Sequence, residues 1–338
     1  MSECKPIELL SLPESADETS YDFHPKNFTD YIGQAELKAK LQLYAQAATL
    51  RKESLDHTLL FGPPGLGKTT LAHIIAQVMG VGIKICSGPM LERTGDLVAL
   101  LTSLEAYDIF FIDEIHRMPT NVEEVLYSAL EHFRVDIIIG QGAGAKSVNL
   151  PLHPFTLVGA TTKSGMLSAP LRSRFGIQER LDFYGHEDLQ KIILQSARHL
   201  QLTISEPAAL IIAHAARGTP RIAKKILRRV RDIAQVSNNN IADEQLTLKA
   251  LQFLGISTSG LSAVDNAILC TIIDKFQGGP VGIETIASII GEDRNTLEEV
   301  YEPFLMRKGF LERTARGRQI PHKMLPLLRN MYYGQSTI

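Results

Sequence analysis

Hydrophobic and polar positions divide the chain into an α/β part followed by helical parts. Between about residue 21 and residue 182, short β-branched or aromatic runs alternate with helical patterns, which is typical of a parallel sheet covered by helices. Strands are predicted at 57–61, 81–86, 108–112 and 155–160. After Tyr184 the pattern predicts a small bundle, with helices near 187–200, 206–216, 220–236 and 243–253.

The third helix of this bundle is amphipathic. Its apolar stripe consists of Ile222, Ile226, Val230 and Ile233. Its other faces carry Lys224, Lys225, Arg228, Arg229 and Arg231. These cations either contact DNA or form a solvated face of the bundle.

The last third of the chain has the element order of a winged helix. A linker is predicted at Gly255–Gly260, and helices at 262–276, 283–290 and 295–307 precede a hairpin over 309–318. This order is that of a helix-turn-helix variant. We expect an α/β domain over 21–183, a helical domain over 184–254 and a winged-helix domain over 261–338, with a polar, disordered arm over 1–20.

A glycine-rich hairpin interrupts the α/β pattern. Residues 135–139 and 146–150 flank Gly140–Gly144, so a β-hairpin is predicted over 135–150. Its apolar residues either complete a sheet edge or, at Ile138 and Val148, form a docking surface for a partner protein.

Composition adds only broad limits. The chain has 338 residues, 44% of them hydrophobic, and a net charge of −2, which fits two or three ordinary domains and gives no global sign of a nucleic-acid partner. Its three cysteines, at positions 4, 86 and 270, lack zinc or disulfide spacing. With no signal-peptide pattern and no long apolar run, we expect a cytoplasmic protein.

Two short segments predict a site that hydrolyses a nucleotide. Gly62, Pro63, Pro64, Gly65, Leu66, Gly67, Lys68, Thr69 and Thr70 fit the phosphate-binding P-loop between a strand and a helix. Lys68 would reach the β- and γ-phosphates, and Thr69 would hold Mg²⁺. Asp113 and Glu114 end a hydrophobic strand. Asp113 would bind Mg²⁺, and Glu114 would polarise the attacking water.

Two arginines could complete this site. Arg174 follows the fourth predicted strand, and Arg221 opens the basic helix. An arginine at the γ-phosphate neutralises charge in the transition state. Spacing alone leaves open that both are ordinary surface arginines.

Together these motifs resemble the AAA+ ATPase family. The resemblance rests on Tyr31–Gln34, Phe61–Thr70, Phe111–His116, Gly159–Thr162, Leu171–Gly176 and Arg217–Arg221. It extends through Gly278–Gly282 and Val300–Pro303 to Arg313–Arg318. Within the family, the chain is similar to the bacterial motors that drive branch migration of Holliday junctions.

The resemblance implies a role for each matching position. Arg174 would act on ATP held by a neighbouring subunit, Arg221 would sense the γ-phosphate within its own subunit, and Thr161 or Thr162 would be the sensor beside the sheet. Nucleotide contacts are implied for Phe23, His24, Ile32, Glu131, His132, Phe133 and Tyr184. His24 stands where the family usually has arginine, and a histidine cannot reproduce a guanidinium fork.

The winged helix is the expected DNA-binding part. Residues 304–330 contain Arg307, Lys308, Arg313, Arg316, Arg318, Lys323 and Arg329 against a single acid, Glu312, and such a cluster either contacts phosphates or forms a solvated tail. The preceding helix carries Glu298, Glu299 and Glu302, which we expect on its exposed faces. We therefore expect Arg294, Arg313, Arg316 and Arg318 to bind the backbone without reading bases.

The leading functional hypothesis is an ATP-driven DNA translocase that binds ATP or ADP with Mg²⁺. The resemblance implies a hexameric ring around duplex arms, a junction-binding partner docked on the 135–150 hairpin, and a junction resolvase in the same complex. The alternatives are a switch similar to the clamp loaders and an ATP-gated DNA-binding regulator. The adjacent Asp113 and Glu114 argue against a regulator, because they are a hydrolytic pair.

Overall fold

The computed structural model describes residues 25–139, 146–237 and 240–334. The chain forms two compact units. The N-terminal unit contains the described residues up to Leu200 together with Gly218–Lys224, and the C-terminal unit contains Gln201–Arg217 and the described residues from Lys225 onward. The domain boundary predicted at 183/184 therefore lies inside the N-terminal unit. No helix among the described residues is long and apolar enough to cross a membrane.

A parallel five-stranded sheet organises the N-terminal unit. Its strands are β1 (Thr58–Phe61), β2 (Ile83–Ser87), β3 (Ile109–Asp113), β6 (Thr156–Thr161) and β7 (Ile177–Arg180), in the order β2-β3-β6-β1-β7. The predicted strands are confirmed to within two residues at each end. The apolar positions of β3 and all of β6 are buried, because parallel strands covered on both faces read as continuous hydrophobic runs.

Helices cover this sheet. They are α1 (Ala35–Arg51), α2 (Lys68–Met79), α3 (Thr94–Thr102), α4 (Thr120–His132) and α5 (Ala169–Ser173). A further helix of the same unit, α6 (His186–His199), follows β7. One apolar cluster joins β3 to α4 through Phe110, Ile112 and Leu126. The sheet is therefore held rigidly, and the loops that follow its strands keep fixed positions.

The predicted hairpin is present as β4 (Arg134–Ile139) and β5 (Lys146–Pro151), paired antiparallel. Val148 pairs with Ile137, and Ile138 pairs with Ser147. Ile138 and Val148 are therefore not direct partners in the hairpin.

The C-terminal unit begins with helices and a short parallel bridge. Its elements are β8 (Thr203–Ile204), α7 (Glu206–Ala215), most of α8 (Pro220–Val236), β9 (Ile241–Ala242) and α9 (Glu244–Phe253). The buried face of α8 is centred on Ala223, Ile226, Leu227, Val230 and Ala234. Ile222 and Ile233 are partly buried, so the predicted stripe is fully buried only at Ile226 and Val230.

The winged-helix part has its own apolar core. It consists of α10 (Ala263–Phe276), α11 (Ile283–Ile290), α12 (Arg294–Thr296), α13 (Glu302–Arg307), β10 (Glu312–Thr314), β11 (Gly317–Gln319) and α14 (Leu325–Tyr333). The continuous helix predicted over 295–307 is interrupted by a π-helical turn at Leu297–Tyr301. Pro303 lies just beyond this turn and has no N–H for an ordinary helical bond, which accounts for the interruption.

Candidate functional site

The P-loop follows β1 at the C-terminal edge of the sheet. The N–H of Gly62 donates to the carbonyl of Thr161 at 3.1 Å, which fixes the start of the loop to the end of β6. Gly67 has a φ of 101°, and a Cβ there would lie 2.9 Å from the Tyr31 hydroxyl. The loop therefore needs glycine both for its backbone conformation and for space.

Lys68 points its ammonium group into the P-loop. Nζ donates to the carbonyls of Gly62 and Pro63, each at 2.9 Å. Burial lowers the pKa of Lys68, and the negative charges of Asp113 and Glu114 oppose that shift. The amine is thus held, largely desolvated, between the loop and the two carboxylates, where a phosphate group would be its natural counter-charge.

Asp113 and Glu114 stand at the same edge, at the end of β3. The N–H of Glu114 donates to the Asp113 carboxylate at 2.9 Å, which orients that carboxylate. Glu114 itself has a φ of 46°, a left-handed conformation that is costly for a residue with a side chain and is frequent at active sites. Its carboxylate, partly exposed, accepts from Arg117 at 2.8 Å.

The residues at the end of β6 separate the two sensor candidates. Thr161 is fully buried, and its hydroxyl lies 2.9 Å from Nδ1 of His116. Thr162 is exposed. Because β6 lies between β3 and β1, Thr161 stands between the carboxylates and the P-loop, which favours it as the sensor. His116 lies only two residues after Glu114, but no role was predicted for it from the sequence.

Two tyrosines close the other side of the loop. Tyr31 donates its hydroxyl to the Leu66 carbonyl at 3.3 Å, and the Tyr184 hydroxyl lies 2.8 Å from that of Tyr31. Burial raises the pKa of Tyr184 to about 12. Together with Ile32, these residues line a cavity of about 60 Å³. Ligand pockets are usually several hundred Å³, so a nucleoside would have to widen this one. Phe23 and His24 lie outside the described residues.

Arg221 lies against the P-loop within the N-terminal unit. Its N–H donates to the Gly65 carbonyl at 3.4 Å. A Cβ on Gly65 would come within 2.8 Å of the Arg221 Cβ and 2.9 Å of Thr219. This close approach places the predicted sensor arginine beside the loop of its own chain.

Arg174 occupies the opposite edge of the sheet. It precedes β7, whose first residue Ile177 pairs with Thr58 at the start of β1. The length of β1, roughly 13 Å at 3.3 Å per residue, separates that edge from the P-loop. Arg174 pairs with Glu131 at 2.9 Å and stacks on the Tyr127 ring at 4.3 Å. In this arrangement the Arg174 side chain lies against α4 and α5 and is only 19% exposed.

Glu131 and Phe133 are neighbours in the predicted nucleotide-binding segment, but they contact different residues. Phe133 packs edge-on against His57 and Phe155, with ring centres 6.4 and 5.8 Å away. His57 precedes β1, so Phe133 also lies at the edge opposite the P-loop. Glu131, which pairs with Arg174, and Phe133 therefore both lie at the edge of the sheet away from the P-loop of their own chain.

The residues at the P-loop suit Mg²⁺ better than a metal held by protein alone. Thr69 and Asp113 offer hard oxygen donors. Among the described residues, no group of three or more His, Cys, Asp or Glu side chains could hold a metal ion. Mg²⁺ commonly takes one or two protein ligands and completes its shell with phosphate oxygens and water. The donor set fits an ion that arrives with ATP.

Two of the predicted DNA-binding arginines, Arg313 and Arg318, form a network around one buried acid. Glu302 has a side chain only 3% exposed, and it accepts from Arg313 at 2.9 Å and from Arg318 at 2.9 Å. Burial raises the pKa of Glu302, but its bonds to Arg313 and Arg318 outweigh burial and lower the pKa overall. The expectation that Glu302 faces solvent was wrong, because it anchors the wing from inside.

The wing arginines differ in how much of each side chain is exposed to solvent. Arg318 is 12% exposed and bonds both Glu298 and Glu302, whereas Arg313 is 53% exposed. Arg316 is exposed near the tip of the hairpin, and Arg294, which pairs with Glu284 at 2.8 Å, is also exposed. Arg307 donates to the Arg217 carbonyl instead of joining the wing.

Comparison with known protein families accounts for nearly the whole chain. The P-loop domain of the Holliday junction DNA helicase RuvB matches residues 23–181, the RuvB AAA lid domain matches 184–257, and the RuvB C-terminal winged-helix domain matches 258–329. These three models follow one another along the sequence with only short gaps.

Individual relatives agree with these models. The Holliday junction branch migration complex subunit RuvB of Myxococcus xanthus is 54% identical over 299 residues, which cover 88% of this chain and 87% of the relative. The subunit from Parabacteroides distasonis is 53% identical over 309 residues, covering 91% of each. The solved structure of the Thermotoga maritima RuvB Holliday junction branch migration motor is 48% identical, with a TM-score of 0.80 over 90% of this chain and 98% of that one.

Proposed function

Because this chain belongs to the RuvB family of AAA+ P-loop ATPases, we propose that it hydrolyses ATP to drive branch migration of Holliday junctions in recombination and repair. The nucleotide is held by Gly62–Thr70, by Tyr184 and Ile32, and by Arg221. Mg²⁺ arrives with ATP and is bound by Thr69 and Asp113. Glu114 orients the attacking water, and Thr161 reports the state of the γ-phosphate.

The single observation that carries this proposal is the placement of the two arginines. Arg221 touches the P-loop of its own chain at Gly65, whereas Arg174 lies at the far edge of the same sheet. A site that needs Arg174 is therefore completed by a second copy. Head-to-tail contacts of this kind close into rings, and we propose a homo-oligomeric ring, with six subunits as in the family.

We assign DNA binding to the winged helix and protein binding to the hairpin of β4 and β5. The winged helix grips duplex arms through Arg294, Arg313 and Arg316, and Arg318 sets the shape of the wing. The hairpin of β4 and β5 docks a RuvA-like junction-binding protein, through the face that carries Val148, which is exposed. A RuvC-like resolvase would join the same complex. The described cysteines, Cys86 and Cys270, are free thiols, as is usual in the cytoplasm, where we place the protein.

We propose three domains, an ATPase domain over 21–183, a lid over 184–254 and a winged-helix domain over 261–338, joined by the 255–260 linker. The clamp-loader-like switch shares an arginine of the Arg174 type but has no need of a basic wing held by a buried glutamate. The ATP-gated regulator has no need of Glu114 beside Asp113.

The function is tested with purified protein, a synthetic four-way junction and a RuvA-like partner. We expect DNA to stimulate ATP hydrolysis. We also expect branch migration to convert the junction into separate duplexes only while ATP is hydrolysed. The Lys68→Ala variant, which loses the phosphate counter-charge, serves as the inactive control. If DNA fails to stimulate hydrolysis even with the partner present, the motor function is wrong.

Replacement of Arg313 by alanine should weaken DNA binding equally for all sequences. One lost phosphate contact lowers the slope of log affinity against log salt by about 1. Titrations over a range of salt concentrations measure this slope, and Arg329→Ala, on the exposed face of α14, is the control of equal charge change. A loss confined to particular sequences would contradict backbone binding by the wing.

A further inference from the structure

Arg217 ties the lid to the winged-helix domain through a buried set of contacts. Its side chain is 6% exposed, and Nη2 donates to the carboxylate of Asp265, which is fully buried at the start of α10. Its Nε donates to the Gly260 carbonyl at 2.8 Å, and its guanidinium lies 4.4 Å from the ring centre of Phe304 in α13. One lid side chain thus contacts the linker at Gly260 and two separate parts of the winged-helix domain.

A second arginine, in the winged-helix domain, also contacts Arg217. Arg307 of α13 donates to the backbone carbonyl of Arg217. Burial lowers the pKa of Arg307, and the nearby charge of Arg217 lowers it further. A Cβ on Gly260 would lie 3.0 Å from the Ala215 carbonyl and 3.3 Å from Cγ of Arg217. The two domains are therefore packed directly against each other at this point.

The predicted linker is itself fixed by hydrogen bonds. The N–H of Ser257 donates to the Leu261 carbonyl at 2.8 Å, and the N–H of Gly260 donates to the Ser257 carbonyl at 2.9 Å. The N–H of Ile256 donates back to Leu251 in α9 at 3.0 Å. A hinge in this segment would have to break these bonds, so the segment joins α9 to α10 as a structured turn.

The position of Arg217 in the chain connects these buried contacts to the ATP site. Arg217 is followed directly by Gly218–Arg221, and the chain passes from the C-terminal unit to the N-terminal unit at this point. Arg221, four residues after Arg217, contacts Gly65 of the P-loop. A displacement of the Arg221 segment by nucleotide therefore pulls on a residue that is anchored in the DNA-binding domain.

We propose that Arg217 and Asp265 are positioning residues that couple ATP hydrolysis to DNA movement. They hold residues 201–217, α8 beyond Lys224, α9 and the winged-helix domain together as one rigid arm. This inference rests on the motor function proposed above. An arginine suits the role because its planar fork binds Asp265 and Gly260 at once and stacks on Phe304, which a lysine cannot do.

A distance measurement in the otherwise unaltered chain tests the rigid arm. With Cys4, Cys86 and Cys270 replaced by alanine, and ATPase activity verified, spin labels are placed at the exposed positions Gln235 in α8 and Asn330 in α14. We expect one narrow distance distribution that is the same with ADP and with a non-hydrolysable ATP analogue. A label pair at Ala39 and Asn330, one in each unit, shows whether nucleotide moves the units at all. A Gln235–Asn330 distance that shifts with nucleotide would overturn the proposal.

The Arg217→Lys variant tests the coupling. We expect DNA-independent ATP hydrolysis within about two-fold of wild type, and about ten-fold fewer junctions migrated per ATP, as is typical for the loss of a coupling contact. The Gln235–Asn330 distribution should broaden as well. The control is Arg229→Lys, an exposed arginine of α8 that pairs with Asp232 at 3.2 Å.

A purely structural role gives a different result. It would lower hydrolysis and migration in the same proportion. An unchanged ratio of migration to hydrolysis would therefore overturn the proposal. If Arg217→Lys does not fold, the distance measurement on the unsubstituted Arg217 still decides. If wild type hydrolyses ATP without moving junctions, the motor function fails, while the distance measurement tests the arm separately.

Discussion

Replacing Arg174 with alanine is expected to slow ATP turnover by about 10³–10⁵-fold, with ATP affinity close to that of wild type. The size of the effect follows from the role, because an arginine at the γ-phosphate neutralises charge that develops only in the transition state. Binding survives because Arg174 lies at the sheet edge away from its own P-loop. Single-turnover hydrolysis and equilibrium nucleotide binding measure the two quantities separately.

Arg172 provides the matched control for this substitution. It lies in α5, two residues before Arg174, is exposed, and its side chain donates a weak bond to Gln178 at 3.4 Å. Arg172→Ala should therefore leave turnover within a few-fold of wild type. If Arg174→Ala turns over like Arg172→Ala, the assignment of Arg174 as the arginine that acts on a neighbour's ATP is wrong.

Substitution of Glu114 by glutamine is expected to slow hydrolysis by about 10²–10⁴-fold, the usual contribution of a general base. Glutamine keeps the size of the side chain and its hydrogen-bonding capacity but cannot take a proton. ATP should still bind, because Lys68 and the loop amides are untouched, and the protein should accumulate in an ATP-bound state that holds DNA. Filter binding of radiolabelled ATP and the steady-state hydrolysis rate report these two effects.

The control removes the partner of Glu114 instead. Arg117→Ala deletes a surface ion pair between side chains that are 59% and 41% exposed, and such pairs contribute little. Hydrolysis should change by no more than a few-fold. A Glu114→Gln variant that hydrolyses ATP as fast as Arg117→Ala would show that another group activates the water.

Much of the fold could be predicted because the decisive residues are hydrophobic in continuous runs. β3 and β6 are buried on both faces, so their continuous apolar sequences predict them as strands. β7 was missed because it is an edge strand with one fully buried residue, Ile177, among exposed or half-exposed ones. The π-helical turn at Leu297–Tyr301 was missed because the apolar spacing of that segment is compatible with an ordinary helix.

The site could be predicted where a motif carries its own chemistry, and it could not where tertiary contacts decide. The P-loop and Asp113 with Glu114 belong to the first class. His116, which bonds Thr161, belongs to the second, because a histidine after an acidic pair has no defined partner in sequence. Glu302 is the clearest case, since only the folded wing shows that an acid of the preceding acidic segment holds Arg313 and Arg318.

The central claim is that each ATP site is completed by a neighbouring subunit, and mixing two inactive variants tests it most directly. Lys68→Ala lacks the P-loop lysine but keeps Arg174, and Arg174→Ala has the reverse defect. In an equal, randomly mixed ring, about one quarter of the head-to-tail interfaces combine an intact Lys68 with an intact Arg174. We expect the mixture to regain up to about that fraction of wild-type ATP turnover. A mixture that stays as inactive as its two components would show that the ATP site is not completed by a neighbouring subunit.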